Sequence, residues 1–243
     1  MAEFPPPIRL PGEPELPREP RESAHDDGLP AVVDDDLDLF GAEAAAAQLT
    51  ERIEQVGPRA VRLGADGGPL LSPPLGPDRD RVDGPVAARA MLVVFAAHGT
   101  PFSGPLVSVL SHVRERHPST VGVAWRHFPD PVAHPQAVVL ALVAEAAAPH
   151  GRFWALTREL LHMRHHEPAD LHAAMVRVGL DPRRALDAMR AGSGADRIVE
   201  DVASALSSGV TFAPALFVNG ERYPGELDPV AVSAALTAGP TPA

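Results

Sequence analysis

Residues 90–113, AMLVVFAAHGTPFSGPLVSVLSHV, predict a strand, a tight turn and a helix in direct succession. Residues 90–96 are apolar throughout, which is typical of a strand that is covered on both faces. Gly99 and Pro101 mark the turn that follows. From residue 106 to 113 the apolar residues recur at three- and four-residue spacings, as on an amphipathic helix. This stretch therefore indicates an α/β domain.

The sequence downstream completes the predicted domain. Residues 121–128, VGVAWRHF, predict a second strand, which a right-handed crossover would place parallel to the first. Apolar spacing from about 134 to 208 is helical and predicts an insert of five helices, with Asp170, Asp181 and Ser193 near helix N-termini. Residues 215–223, ALFVNGERY, predict a hairpin that turns at Asn-Gly, and a last helix opens at Asp228-Pro229.

The chain before this domain has a different composition. Residues 1–40 hold eleven acidic residues, three arginines and eight prolines, and predict a disordered acidic tail. Within 41–85 we expect a short helix over 42–56, ended by Gly57-Pro58, and then a Gly/Pro-rich linker with a short strand at 60–63. The folded domain is expected over 86–238.

Charge and hydropathy limit the classes of partner. The net charge is −11, all 21 basic residues are arginines, and most of the acidic excess lies in the tail. Without a basic surface, nucleic acid is not expected as a partner. The N-terminus does not resemble a secretory signal, and no stretch approaches the roughly 20 apolar residues that cross a bilayer. The sequence thus predicts a cytoplasmic protein with no membrane insertion and leaves its oligomeric state open.

The order of these elements resembles the DsbA-like thioredoxin-fold family, whose fold carries an all-helical insert. Residues 80–85, DRVDGP, also resemble the lead-in of bacterial thioredoxin-like domains, some of which are fused to sodium/proton antiporters, although no antiporter is expected within this sequence. Three strings match the family in order across about residues 86–238: Trp125-Arg126-His127-Phe128-Pro129 with His134-Pro135, Gly151-Arg152-Phe153-Trp154, and residues 209–220, GVTFAPALFVNG.

The resemblance places the family's active site at Thr100-Pro101-Phe102-Ser103, where the family has Cys-Pro-Phe-Cys or Cys-Pro-Tyr-Cys. The chain contains no cysteine. A hydroxyl cannot form or exchange a disulfide, so the family's oxidoreductase activity is not expected here. The first interpretation of Thr100 and Ser103 is that they cap the helix, with Pro105 in its first turn and the helix start shifted relative to the family.

A second interpretation gives these hydroxyls a ligand. Kappa-class glutathione transferases and related isomerases use Ser-Pro-Tyr-Ser-like strings at this position, and the resemblance implies that Thr100 would hold the thiolate of a low-molecular-weight thiol. His98 is then a candidate base toward the Thr100 hydroxyl. No other cofactor is expected.

Residues 213 and 214 suggest a third kind of site. The resemblance implies a cis peptide bond at Ala213-Pro214, in a loop that packs against the active-site helix and binds an extended peptide. The predicted function is therefore binding or scaffolding for a protein or peptide partner, with Thr100, Ser103, His98, Ala213 and Pro214 as candidate binding residues. Docking by the acidic tail and the 42–56 helix is a further alternative.

Three histidines are candidate metal ligands. His162, His165 and His166 have the spacing of one helix face and could bind zinc, but no carboxylate or cysteine set accompanies them. We interpret them as a solvated helix face and predict no metal.

Overall fold

A computed structural model describes residues 40–76, 79–85 and 88–238. The predicted tail, residues 1–40, lies outside this range except for Phe40. The elements in chain order are α1 (Phe40–Glu54), β1 (Arg81–Asp83), β2 (Ala90–Ala96), α2 (Ser103–Arg116), β3 (Val121–His127), α3 (Gln136–Ala146), a 3-10 turn (Ala148–His150), α4 (Phe153–His162), α5 (Pro168–Arg177), α6 (Pro182–Arg190), α7 (Ala195–Ser207), β4 (Ala215–Val218), β5 (Glu221–Arg222) and α8 (Pro229–Thr237).

The five strands of the described residues form one mixed sheet in the order β1-β3-β2-β4-β5. β2 and β3 are parallel and are joined through α2, which confirms the predicted strand–helix–strand unit. β4 is antiparallel to β2, and β5 returns from β4 through a turn at Asn219 (φ 52°) and Gly220 (φ 93°). Two positive φ angles in succession are what a two-residue hairpin of this kind requires, and Asn-Gly supplies them at little cost.

β2 and β3 lie at the centre of the sheet and bury residues on both of its faces. Leu92 and Val94 pack into the larger of two apolar clusters, and Val93 and Phe95 pack into the smaller one on the opposite face. On the smaller side the ring of Phe95 meets that of Phe217 edge-on at 5.6 Å. The continuous apolar run of β2 is explained by this two-sided burial.

Five helices, α3 to α7, form the insert between β3 and β4. Asp181 caps α6 by accepting the backbone N–H of Arg183 at 2.9 Å, as predicted. Asp170 lies in the first turn of α5 and forms a capping box with Glu167. α7 begins directly after Gly194, whose backbone is left-handed (φ 81°). Only glycine fits at this position, because a Cβ would lie 2.3 Å from Cβ of Glu145 on α3.

Helix α1 packs on the insert. Its buried residues Ala42, Ala46, Leu49 and Ile53 form one face, which contacts α3, α6 and α7. Arg52 reaches Asp196 at the start of α7 with an N–O distance of 2.6 Å. The same apolar spacing that predicts a helix near 42–56 therefore also supplies its packing surface.

Residues 57–76 follow the domain surface without the predicted strand at 60–63. Leu63 makes only a single antiparallel bridge to Pro69, because the chain reverses between these two residues, in a turn that includes Gly67 (φ 79°). Further on, Leu71 is buried, and the hydroxyl of Ser208 accepts the backbone N–H of Ser72 at 2.8 Å. Among the described helices, none combines the length and the apolar character that crossing a membrane would take.

Candidate functional site

Thr100, Pro101 and Phe102 lie in the turn between β2 and α2, and Ser103 is the first residue of α2. The backbone N–H of Ser103 donates to the carbonyl of Thr100 at 3.1 Å, which closes the turn. Phe102 stands at the N-cap position and is 49% exposed. The predicted tetrapeptide is thus at a helix N-terminus.

The predicted capping by hydroxyls is not observed. The hydroxyl of Thr100 reaches back to the carbonyl of Ala97 at 3.5 Å, because Thr100 stands three residues before the helix. Ser103 is already helical, and its hydroxyl is buried with no hydrogen-bond partner among the described residues. The helix start at Ser103 leaves Pro105 in the first turn, where proline is tolerated.

The loop before β4 lies beside this turn. The Ala213–Pro214 peptide bond is cis. Phe212, immediately before it, is 65% exposed, and its ring lies 5.9 Å from the guanidinium of Arg222 on β5. No backbone hydrogen bond joins residues 211–213 to any other described residue. The loop therefore presents free N–H and C=O groups next to an exposed aromatic ring.

Two clefts meet at Phe102, Phe212 and Ala213, and together we call them the apolar groove. The first has a volume of about 270 Å³ and extends along the hairpin. The second has a volume of about 380 Å³ and extends toward the insert. The first is also lined by Pro214, Leu216 and Tyr223, and the second by Thr100, Ile53, Phe128 and Val202.

On the opposite side of Thr100 lies a larger cavity of about 650 Å³, which we call the histidine cleft. Its lining includes both hydroxyl residues of the tetrapeptide and several basic groups, and sequence reasoning missed it as a site. The polar and charged lining residues are Thr100, Ser103, His134, Gln136, His162, Arg164 and His166.

The histidines of this cleft do not share one helix. α4 ends at His162, so His165 and His166 follow it in a loop. Because the helix stops, the predicted single face of three histidines is wrong. Within the described residues, no group of three or more His, Asp or Glu side chains has an arrangement that could hold a metal ion.

His98, the candidate base, points into the core. Its ring stacks on Trp125 with a centroid distance of 4.7 Å and is fully buried. Neither ring nitrogen has a hydrogen-bond partner among the described residues, and the hydroxyl of Thr100 is directed to Ala97 instead. Burial lowers the pKa of His98 well below its ordinary value, and the neighbouring rings of His127 and His166 lower it further. His98 is thus a neutral ring beneath the turn.

A buried chain of hydrogen bonds lies next to His98. Trp125 Nε1 donates to His127 Nδ1 at 3.3 Å, so Nε2 of His127 carries the proton that it donates to Glu145 Oε1, also at 3.3 Å. Arg81 donates to the other oxygen of Glu145 at 2.7 Å. Burial alone would raise the pKa of Glu145, but the hydrogen bonds from His127 and Arg81 and the guanidinium charge lower it to about 2.

A second buried network holds the segment before β1 against the sheet. Arg126 is fully buried and donates to both oxygens of Asp80 and to the hydroxyl of Ser204. Asp201 accepts from Arg79 at 3.0 Å and from the backbone N–H of His127 at 2.9 Å. Its burial raises the pKa of Asp201 to about 6 in spite of these contacts.

The sequence carries a signal for both networks. Glu145 is the one charged residue of helix α3, whose other residues after Gln136 are apolar, and Arg126 is a charged residue within β3, which is buried along its whole length. A charged residue inside a buried element must have a partner, because an unpaired buried charge is strongly unfavourable.

No family model matches the sequence. Similar curated proteins are named Na(+)/H(+) antiporters: one from Salinispora tropica is 38% identical over 176 residues, one from Salinispora arenicola 37% over 177, and one from Mycolicibacterium gilvum 34% over 175. These matches cover 71–72% of this chain. The chain spans 27–28% of the length of these relatives.

These relatives correct two predictions from the sequence. The expectation of a protein or peptide partner with no membrane insertion is contradicted, because the relatives are named as antiporters, which are membrane proteins. The predicted cytoplasmic location is contradicted as well, because these relatives are named as antiporters, which are membrane proteins. The physical reason is that the lack of a long apolar stretch bears only on whether the described helices cross a bilayer, and it does not tell in which compartment or beside which membrane the chain works.

Solved structures agree with the fold. A thioredoxin-like oxidoreductase from Silicibacter pomeroyi superposes with a TM-score of 0.58 at 20% identity, covering 66% of this chain and 91% of its own. BdbD from Bacillus subtilis, in its oxidised form, superposes with a TM-score of 0.59 at 14% identity, and the match covers 69% of this chain and 96% of BdbD. A periplasmic thioredoxin-like protein from Salmonella enterica superposes with a TM-score of 0.53 at 21% identity, and the match covers 68% of this chain and 91% of that protein. With the sheet order and the helical insert, these matches show that the chain has a DsbA-like thioredoxin fold that contains no cysteine.

Proposed function

We propose that this chain is a binding domain that receives an extended peptide in the apolar groove and performs no thiol–disulfide exchange. The observation that carries the proposal is the free backbone of residues 211–213, which carries the exposed side chain of Phe212 and lies beside the exposed side chain of Phe102. Exposed aromatic residues that border a concave surface favour contact with another molecule.

The chemistry of the groove fits an extended peptide. The free N–H and C=O groups can pair with the backbone of an added strand, and the two clefts can receive its alternate side chains. Because Thr100 and Ser103 stand where the family has cysteines, such a complex is held by noncovalent contacts alone and is reversible.

The relatives' names suggest the class of partner. Their identity of 34–38% extends over about seven tenths of this chain. We therefore place the peptide in a segment of a Na(+)/H(+) antiporter that is exposed outside the bilayer.

The test uses overlapping peptides that cover the exposed segments of such an antiporter from the same organism. Binding to the full chain is measured by fluorescence anisotropy, with Phe212→Asp as the groove variant and Val230→Asp as its control. The two side chains are 65% and 66% exposed, so both changes place the same charge on a similar surface. Binding lost in Phe212→Asp alone supports the proposal, and equal binding in both variants overturns it.

A second candidate function is binding of a low-molecular-weight thiol, as in the kappa-class resemblance. The observation that favours it is that Thr100 and Ser103 both line the histidine cleft at the N-terminus of α2. Calorimetric titration with glutathione and with mycothiol tests it. Binding that is lost in Thr100→Ala supports this candidate, and no heat from either thiol rejects it.

A further inference from the structure

The histidine cleft has a one-sided charge. His134, His162, Arg164 and His166 line it, and no acidic residue does. In contrast, Asp130 and Glu226 line the two clefts of the apolar groove. A cavity that collects basic groups without a carboxylate is complementary to an anion.

Free donors in the cleft strengthen this complementarity. Arg164 is exposed and forms no ion pair within the described residues. His162 and His166 each face a backbone carbonyl with one ring nitrogen, at 2.7 and 3.2 Å, and a carbonyl can only accept a hydrogen bond. Each ring therefore donates through that nitrogen, and its other nitrogen can donate to an anion only in the imidazolium form, so Arg164 is the donor that is free in every state.

The start of α2 adds two further donors. The N–H of Gly104 has no acceptor among the described residues, and the next residue, Pro105, has no N–H at all. The buried hydroxyl of Ser103 has no partner there either, although Ser103 lines the cleft. A buried polar atom without a partner is uncommon in folded proteins and marks a place where a ligand would complete the hydrogen bonding.

The histidine cleft adjoins the apolar groove. Thr100 and His134 line both the histidine cleft and the insert side of the groove. A peptide that places apolar side chains against Phe102 and Phe212 can therefore continue past Thr100 into the histidine cleft.

From this arrangement we infer that the histidine cleft binds the carboxylates of acidic residues that flank the apolar segment of the bound peptide. The inference rests on the proposed peptide-binding function and specifies the partner: an extended segment, apolar in the groove and acidic on the side of Thr100. Arg164 supplies the charge, and Ser103 and Gly104 supply the oriented donors.

The experiment compares two capped synthetic peptides with the same alternating Val and Phe core, one flanked by two Asp residues and the other by two Asn. Each is made with the flank at either end, since the direction of the bound strand is not fixed. Calorimetry at low salt is expected to show the Asp peptide binding about tenfold tighter, as for hydrogen bonds to a charged group. High salt should reduce this ratio.

Matched variants assign the difference to the cleft. Arg164→Glu should abolish the preference for Asp, whereas Arg59→Glu, an equal charge change at an exposed residue that lines none of these clefts, should retain it. Equal affinities for the Asp and Asn peptides would overturn the inference and leave the peptide-binding function standing.

If neither peptide binds, the proposed function fails, and the cleft is judged by a separate measurement. Glutarate is titrated into the isotope-labelled chain, and the amide resonance of Gly104 is followed by NMR. A saturable shift that is lost in Arg164→Glu supports an anion site in the cleft. No shift overturns it.

Discussion

Arg126 donates to Asp80 from Nε at 2.7 Å and from Nη2 at 3.0 Å, and neither side chain of this pair is exposed to solvent. Arg126 belongs to the central strand β3, whereas Asp80 directly precedes the edge strand β1. Burial by itself would raise the pKa of Asp80, but the hydrogen bonds and charge of Arg126 keep it below its ordinary value. The pair therefore fastens the Gly/Pro-rich segment to the sheet.

Removing one member of this pair should be strongly destabilising. Asp80→Ala leaves a buried guanidinium without its counter-charge, which costs about 3–5 kcal/mol of unfolding free energy. The control is Asp196→Ala, which breaks the exposed pair with Arg52 and should cost less than about 1 kcal/mol. Urea unfolding measures both. A loss below 1 kcal/mol in Asp80→Ala would show that the pair does not hold the segment.

Glu145 should make the unfolding free energy decrease as the pH falls. Its pKa of about 2 lies below the ordinary glutamate value of 4.5, so the ionised side chain stabilises the fold by about 3 kcal/mol at neutral pH. That contribution is complete above about pH 4.5 and is lost as the pH falls toward 2. Glu145→Gln should therefore be less stable than the wild type at pH 7, and the difference should shrink between pH 5 and 3 in urea unfolding. A difference that does not change with pH contradicts the assigned pKa.

Asp201 should make the unfolding free energy decrease as the pH rises, which is opposite to the effect of Glu145. Its pKa is raised from 3.8 to about 6, so the folded state holds a proton that the unfolded state has released. The contribution of Asp201 to the unfolding free energy therefore falls as the pH rises from about 4 to 6. Asp201→Asn removes this dependence, and the stability of the wild type relative to this variant should decline across that interval. An unchanged difference between pH 4 and 6 would reject the raised pKa.

His98 offers a test of the cost of unpartnered polar atoms. Phe in its place keeps the stacking on Trp125, and Leu fills a similar volume, while both remove two buried nitrogens without partners among the described residues. At least one variant should be more stable than the wild type, by about 1–3 kcal/mol. His150→Phe, at an exposed position, should change stability by less than about 0.5 kcal/mol. Clear destabilisation by both core variants would indicate that His98 has a partner in solution.

Local pattern was enough to predict β2, its turn, α2 and the hairpin at Asn219-Gly220, because each element is dictated by residues adjacent in sequence. β1 could not be predicted in this way. It has three residues, two of them charged, and it is a strand because it pairs with β3 and because Arg81 and Asp83 reach Glu145 and Arg158. Strands that are fixed by distant partners leave no local signal.

The same distinction applies to the candidate site. The position of the tetrapeptide at a helix N-terminus followed from the order of strand, turn and helix. The environment of each side chain did not, since Thr100 turns to Ala97 and His98 is buried by Trp125 from another strand. The histidine cleft joins α2 to residues around the end of α4 that lie some sixty positions later in the chain, so only the tertiary fold brings them together.

Restoring sulfur to the tetrapeptide tests whether the geometry of the family's redox site survives. The N–H of Ser103 donates to the carbonyl of Thr100 at 3.1 Å, and a turn closed in this way holds its first and fourth Cα atoms within about 7 Å. A disulfide needs roughly 4.4–6.8 Å between Cα atoms. We therefore expect the double variant Thr100→Cys/Ser103→Cys to form an intramolecular disulfide and to reduce insulin in the presence of dithiothreitol above the reagent's own rate.

The wild type and each single variant should show only that background rate, because exchange of a dithiol needs both sulfurs. Free thiol titration and mass spectrometry measure the disulfide. A double variant that stays reduced in air would show that the start of α2 at Ser103 has separated the two positions, and turnover by the wild type would contradict the assignment of this chain as redox-inactive.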